Sequence, residues 1–286
     1  MFHESSGMND SGGSRAEVLR GLSPKSRTRE GRGMKVKVLG PFGGQALGFH
    51  LSSFLIDDHY LVDAGAACSL TLEEQAQIDH VFLTHAHLDH ICGIFFIADN
   101  IFGQRKRPIA IYGVPSVIQS IKRHMLNDDI WPDFTALPSP EFPTLTLKEI
   151  TEGASHSVGD LVFMPIAVDH TVPAVGYLVK GKTGAFLYSG DTGTTEKIWS
   201  VAASTKSLRA IIAEVSFPNR LQKVADLSGH LTPQRLGEEL KKAQNPSLPV
   251  FVTHMKPQFL EEIQQEIRSL GAKDIQLLEQ GRTYHL

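Results

Sequence analysis

The sequence has few cysteines, little net charge and no long apolar run. Its 286 residues include only two cysteines, Cys68 and Cys92, in a spacing that fits neither a disulfide framework nor a cysteine-based metal site. This predicts a protein of the reducing cytoplasm. A net charge of −3 gives no electrostatic sign of a nucleic-acid binder. Because of this charge we expect no stable nucleic-acid partner. The apolar run 91–98 is too short to span a bilayer, so we expect no membrane partner either.

Residues 1–33 differ in composition from the rest of the chain. They are rich in serine, glycine and arginine and poor in large apolar side chains, so we predict a disordered segment or a tag, with Met34 as an alternative start. Hydrophobic residues make up 41% of the whole chain, which suffices for one sizeable core. Residues 34–286 are therefore predicted to form the folded domain, and a homodimer is compatible with this sequence.

Residues 84–90 gather four metal-binding side chains where an apolar strand meets an apolar helix. These side chains are His85, His87, Asp89 and His90. Side chains two apart in an extended segment point the same way, so His85 and His87 can bind one ion. The turn into the helix then brings His90 beside Asp89, on a second ion. A solvated loop is the alternative, but so many polar groups between apolar runs would be costly without an ion. Mixed imidazole and carboxylate ligands suit zinc, and also manganese or iron.

Further along the chain, short apolar strands repeatedly end in a titratable side chain. The residues at these ends are His170, Asp191, Glu214 and His254. Chemistry on α/β sheets gathers at strand ends, where loops from several elements meet. Taken together with the first cluster, this pattern predicts that His170, Asp191 and His254 are metal ligands.

The order of these residues resembles that of the metallo-β-lactamase superfamily over about residues 35–286. The resemblance implies an α/β fold, the four-layer αββα sandwich, with two divalent ions at one edge of its two sheets. It implies zinc first, with manganese or iron as alternatives. The implied ligand sets are His85, His87 and His170 for one ion, Asp89, His90 and His254 for the other, and Asp191 as the bridge. The resemblance also favours Asp63 as a carboxylate that orients a metal-bound histidine.

Four further stretches are similar to class II 3′,5′-cyclic-nucleotide phosphodiesterases. They are residues 87–94, 130–134, 214–219 and 253–257. One departure is Ile-Ala-Asp-Asn at 97–100, where that family tends to have a Ser-Pro or Ser-Ala pair. The resemblance implies a hydrolase that converts cAMP or cGMP to the 5′-nucleotide, with a hydroxide shared by the two ions as the nucleophile.

The same resemblance suggests catalytic roles for three side chains. Asp89 holds an ion and helps to orient the nucleophile. His230 protonates the leaving oxygen, and Glu214 fixes the tautomer of His230. On residues alone, His230 is equally well explained as a histidine beside the helix cap at Thr232 and Pro233.

Substrate contacts and rival functions remain open at this point. Trp131, Phe217 and Tyr177 are candidates for stacking on a base, and Asn219 is a candidate contact, although Trp131 on residues alone is better explained as a cover of the core. One rival is a tRNA 3′-processing endonuclease, which would carry a long arm between the positions of His170 and Asp191, where this chain has twenty residues. A thioester hydrolase is a weaker rival. A non-catalytic cyclic-nucleotide-binding protein would be expected to have lost ligands.

Overall fold

The computed structural model describes residues 33–271 and 274–286, in which two seven-stranded sheets pack face to face. The predicted disordered segment falls outside the described residues except for its last glycine. The strands are β1 Lys35–Gly40, β2 Ser53–Ile56, β3 Tyr60–Ala64, β4 His80–Phe82, β5 Ile109–Gly113, β6 Pro138–Ser139, β7 Phe142–Pro143, β8 Leu145–Glu149, β9 His156–Val158, β10 Leu161–Val168, β11 Ala174–Lys180, β12 Ala185–Tyr188, β13 Leu208–Glu214, β14 Val250–Thr253, β15 Ile275–Leu277 and β16 Thr283–His285.

Helices cover the outer faces of the two sheets. They are α1 Leu72–Gln75, α2 Leu88–Asn100, α3 Pro115–His124, α4 Lys197–Ser204, α5 Gln222–Ser228, α6 Pro233–Leu240 and α7 Leu260–Ser269. Short 3-10 turns are formed by Ala67–Ser69, Asn219–Leu221, Lys241–Ala243 and Pro257–Phe259. The sequence predicts a helix over 72–78, and in the structure α1 ends early, at Gln75. Among the described residues, no helix has both the length and the apolar character that crossing a bilayer requires.

The strand order brings the carboxyl ends of several strands to one edge of the sandwich. The first sheet has the order β16-β1-β2-β3-β4-β5-β8, in which β3, β4, β5 and β8 are parallel. The second has the order β15-β14-β13-β12-β11-β10-β9, in which β12 to β15 are parallel. Parallel neighbours end on the same side of a sheet, which is where binding sites of α/β proteins form.

Three apolar cores separate four layers. One lies between the first sheet and α2 and α3, one lies between the two sheets, and one lies between the second sheet and α4, α6 and α7. The alternating residues 35–39 predict a strand, and β1 shows that alternation, since Val36 and Val38 face the middle core and Lys35 and Lys37 are partly exposed. The predicted αββα sandwich is confirmed.

Two glycines allow α2 to lie against the end of β3. A Cβ atom on Gly93 would lie 2.1 Å from Ala64 O, and one on Gly65 would lie 2.0 Å from Asp89 O. No larger residue fits at either position without moving backbone. This close approach carries the first turn of α2 to Asp63, which has a left-handed backbone with φ of 52°.

Phe82 is expected to be a major contributor to stability, because it lies at the centre of the middle core. Its ring stacks on Phe163 and on Tyr112, at centroid distances of 3.6 and 4.5 Å. Phe82→Ala should lower the free energy of unfolding by about 3–5 kcal/mol. The control is Phe142→Ala, whose ring is 73% exposed and whose loss should change that free energy by about 0.5 kcal/mol or less. Denaturant titration measures both, and equal losses would contradict the assignment.

Candidate metal centre

The seven predicted metal ligands are supplied by four strand ends at the same edge. After β4 the chain turns through His85 and His87 into α2, whose first turn carries Asp89 and His90. On the second sheet, the segments that follow β10, β12 and β14 carry the other three, His170, Asp191 and His254. Each sheet therefore contributes part of one constellation.

The first group of ligands brings together residues far apart in the sequence. The candidate ligand atoms of His85, His87 and His170 all lie within 4.8 Å of one another. His170 Nε2 is 3.2 Å from His87 Nδ1. His85 is completely buried, whereas His87 and His170 are partly exposed, so this group opens to solvent on one side.

The second group consists of Asp89, His90 and His254. His90 Nε2 and His254 Nε2 are 3.2 Å apart, and Asp89 Oδ2 is 3.4 Å from His254 Nε2. Asp191 lies between the two groups. Its Oδ2 is 3.2 Å from His254 Nε2, 3.3 Å from His90 Nε2 and 3.8 Å from His85 Nε2. All seven predicted ligands thus converge on one small volume.

Four of the histidines have their other ring nitrogen, Nδ1, occupied by a neighbouring group. The pairs are His85 with Thr84 Oγ1 at 3.0 Å, His90 with Asp63 Oδ2 at 2.8 Å, His170 with Gly229 O at 2.9 Å and His254 with Ser216 Oγ at 2.8 Å. A proton held on Nδ1 leaves the lone pair of Nε2 directed at the centre, which is how outer partners orient metal-binding imidazoles. Asp63, expected to orient a histidine, is hydrogen-bonded to His90.

The donor set fits a divalent cation. Among the described residues, His85 Nε2 and Asp191 Oδ1 are buried and have no hydrogen-bond partner. Buried polar atoms without a partner are rare because each costs about 1–3 kcal/mol. Facing imidazole lone pairs, such as those of His90 and His254, also repel one another unless a proton or a cation lies between them. Nitrogen and carboxylate donors in this combination suit zinc, manganese or iron.

The electrostatics of the centre favour the binding of a cation. Burial, reinforced by His90, holds the pKa of His85 well below its ordinary value, so this ring is neutral. Burial disfavours charge on His90, but Asp191 and Asp63 outweigh it and hold the pKa of His90 well above its ordinary value. Burial alone would raise the pKa of Asp191, yet His254 and His90 hold that pKa well below its ordinary value. A divalent ion could replace the His90 proton beside an ionised carboxylate.

His230 and Glu214 form a buried pair beside both groups. His230 Nδ1 is 2.7 Å from Glu214 Oε1, and the His230 ring centroid lies 5.1 Å from His170 and 5.3 Å from His254. Glu214 is fully buried and also accepts a hydrogen bond from Thr192 N. Burial lowers the pKa of His230, but Glu214 outweighs this effect and raises it overall. The pair presents Nε2 of an imidazole that readily carries a proton.

Of the candidate substrate contacts Phe217 and Asn219, Phe217 lies near His230. The Phe217 ring centroid is 5.8 Å from that of His230, and Lys256 Nζ lies 5.5 Å from the centroid of Phe217. The side chain of Asn219 has a structural partner, because its Oδ1 accepts a hydrogen bond from Gln234 N in the first turn of α6.

The other two aromatic candidates are held by the core. Trp131 Nε1 donates to Phe95 O and the ring packs against the core under α2, as expected of a covering side chain. The interpretation of Tyr177 as a stacking residue is wrong. Tyr177 is completely buried between the sheets, and its hydroxyl donates to Leu83 O. Its strand is covered on both faces, so no ligand can reach the ring.

Three outer residues of the centre were not predicted. Ser216 Oγ lies within 3.2 Å of Glu214, His230 and His254, and so links the buried pair to a ligand. Thr84 donates its backbone N–H to Asp63, and Tyr188 donates its hydroxyl to the same carboxylate. Ser216 could have been predicted, because it lies two residues after Glu214 at the end of a strand, and side chains two apart in an extended segment point the same way. Hydroxyls such as those of Thr84 and Tyr188 carry no such signal.

A family model described as the beta-lactamase superfamily domain matches residues 59–255 of this sequence. The chain belongs to the beta-lactamase superfamily. A superfamily relative in Yersinia pestis, named probable 3′,5′-cyclic-nucleotide phosphodiesterase, is 30% identical over 225 residues, which are 70% of this chain and 62% of that protein. The 3′,5′-cyclic-nucleotide phosphodiesterase 1 of Saccharomyces cerevisiae is 28% identical over 76% of this chain and 69% of that protein.

The superfamily fold is also evident from a solved structure. The crystal structure of unliganded yeast PDE1 matches with a TM-score of 0.75 and 22% identity. The match covers 89% of this chain and 99% of that chain. The predicted resemblance to this superfamily and to its cyclic-nucleotide phosphodiesterases is confirmed. The chain spans less than two thirds of the Yersinia relative, at 62%.

Proposed function

We propose that this chain is a metal-dependent phosphodiesterase that hydrolyses 3′,5′-cyclic nucleotides to 5′-nucleotides at a binuclear centre. The observation that carries the proposal is the convergence of two ligand groups on Asp191, with buried donor atoms of His85 and Asp191 that lack a partner. The phosphodiesterase names of relatives at 28–30% identity support the choice of substrate class.

Metal ions would be held by the two groups that Asp191 joins. One ion would bind His85, His87 and His170, and the other would bind Asp89, His90 and His254. When bound, such ions supply Lewis acidity toward a phosphoryl group and lower the pKa of a coordinated water. Zinc suits this donor set first, with manganese or iron as alternatives.

The chain's own residues account for the proton that the reaction must deliver. Hydrolysis forms one new P–O bond from water and breaks the bond between phosphorus and O3′, so the leaving O3′ needs a proton. His230 would supply it from Nε2, because Glu214 holds the proton on Nδ1 and favours the protonated ring. Ser216 would keep this ring in register with His254. Asp89 and Asp191 would hold the ions and orient the attacking water.

Two rival functions are less well supported. A tRNA 3′-processing endonuclease would need a long arm after His170, but residues 171–190 are used by β11, β12 and their turns. The slightly acidic chain also lacks the positive charge that binding of a polyanion favours. A non-catalytic nucleotide-binding protein has no need of a complete ligand set, which this chain retains.

A turnover screen tests the proposal. The full chain, loaded with zinc or manganese, is incubated with cAMP, cGMP, 2′,3′-cyclic AMP, bis(p-nitrophenyl) phosphate and a precursor tRNA. We expect cAMP or cGMP to give the 5′-nucleotide, which chromatography separates from the 3′-nucleotide. Cleavage of the tRNA without turnover of either cyclic nucleotide would favour the endonuclease. Stoichiometric binding of cAMP without product would favour the binding protein.

A further inference from the structure

A cavity of about 470 Å³ opens beside the first ligand group. It lies between the start of α2, one face of α3 and the loop that follows His170. His87 is part of its wall, so whatever fills the cavity lies next to the metal centre. None of the residues in this wall has been assigned a role apart from His87.

The wall combines apolar surfaces with a single polar stripe. Ile91, Val117 and Pro173 provide apolar surface from α2, α3 and the loop. The polar side chains are Ser116, Ser120 and His124, spaced four residues apart on α3. That spacing puts them on one face of the helix, where neighbours four apart lie side by side.

The stripe is free to bind a ligand. Within residues 33–271 and 274–286, neither serine hydroxyl of the stripe nor the His124 ring makes a hydrogen bond to another protein group. A serine hydroxyl can donate and accept, and neutral imidazole does one with each nitrogen. These groups can therefore match donors and acceptors on the edge of a heteroaromatic ring. Apolar walls with a few convergent polar groups are the usual composition of a small-molecule site.

We propose that this cavity is the nucleobase subsite, in which Ser116, Ser120 and His124 hydrogen-bond the edge of the base while its faces contact Ile91 and Pro173. The proposal rests on the proposed function, because a base enters the cavity only if its phosphodiester reaches the centre beside His87. The volume is sufficient for a purine with part of its ribose. The serine stripe accepts either adenine or guanine, which predicts a small preference between cAMP and cGMP.

The test compares a natural substrate with one that lacks the base. The pair is cAMP and 1-deoxyribofuranose 3′,5′-cyclic phosphate, which present the same ring to the centre. In Ser120→Phe, the ratio of kcat/KM for cAMP to kcat/KM for the baseless substrate should fall by about tenfold or more, because the new ring fills the cavity. Gln119→Phe is the matched control, since Gln119 is exposed on the same helix and outside the cavity. Its ratio should stay within twofold, roughly, of that of the natural chain.

A gentler variant covers the case in which Ser120→Phe does not fold. Ser116→Ala combined with Ser120→Ala removes only two hydroxyls and should raise KM for cAMP by about tenfold, with kcat changed by about twofold or less. If the natural chain turns over both substrates and neither variant shifts the ratio or KM, the subsite is wrong and the phosphodiesterase stands. If the natural chain turns over neither substrate, the proposed function fails and the subsite with it.

Discussion

Asp191→Ala is expected to abolish metal binding at the centre and to reduce cyclic-nucleotide hydrolysis by about a thousandfold or more. Asp191 Oδ2 lies within 3.8 Å of histidines of both candidate ligand groups, namely His85, His90 and His254. Removal of this carboxylate deprives His90 and His254 of the anion that lies 3.3 and 3.2 Å from their Nε2 atoms. Elemental analysis should give about two ions per natural chain, and initial rates with cAMP measure the loss of turnover.

Asp160→Ala is the control for this substitution. Asp160 is exposed and pairs with Lys182 at the surface, so both metal content and turnover should be unchanged. Circular dichroism establishes that each variant is folded. Retention of metal and of turnover in Asp191→Ala would overturn the ligand assignment. Loss of metal with full turnover would overturn metal dependence itself.

His230→Ala is expected to slow cAMP hydrolysis by about 10²–10⁴-fold, while bis(p-nitrophenyl) phosphate should lose about tenfold or less. The difference arises from the leaving group. A ribose alkoxide is strongly basic and must be protonated as it departs, whereas p-nitrophenolate leaves without help. Glu214→Gln should lie between the natural chain and His230→Ala for cAMP, because the amide no longer stabilises a charged imidazole at 2.7 Å.

Rates with both substrates, measured at saturating metal, decide the role of His230. His59→Ala provides the control, since His59 is an exposed histidine whose Nδ1 lies 2.9 Å from Gln77 O, away from the centre. Equal slowing of the two substrates by His230→Ala would mean that His230 maintains the shape of the site and is not the proton donor.

The pattern of apolar residues was sufficient to predict a long strand and insufficient for the short ones. The continuous apolar run 161–168 predicts a strand, and β10 has those bounds in the structure. Strands β15 and β16 have three residues each and carry no such signal. β16 forms by pairing with β1, where Lys35 pairs with His285. These residues lie at opposite ends of the domain's sequence, so no local pattern encodes the pairing. The four-layer arrangement came from family resemblance, not from periodicity.

The candidate ligands could be selected from the sequence because their chemistry is unusual at strand ends. His170, Asp191 and His254 each follow an apolar run, and few structural roles require that pattern. Tyr177 shows the limit of such reasoning. A tyrosine on an apolar strand can line a ligand-binding pocket or lie in the core. The packing of the second sheet on the first determines that Tyr177 is buried. The position of the cavity beside His87 likewise depends on how α3 packs.

Each sheet supplies only part of the ligand constellation. The end of β4 and the start of α2 contribute four candidate ligands, and the opposite sheet contributes the other three. Bound cations would therefore cross-link the two sheets of the sandwich. A polypeptide in which only one sheet has folded, whether during synthesis or after damage, would have no catalytic activity. Turnover would thus report that the entire domain has assembled.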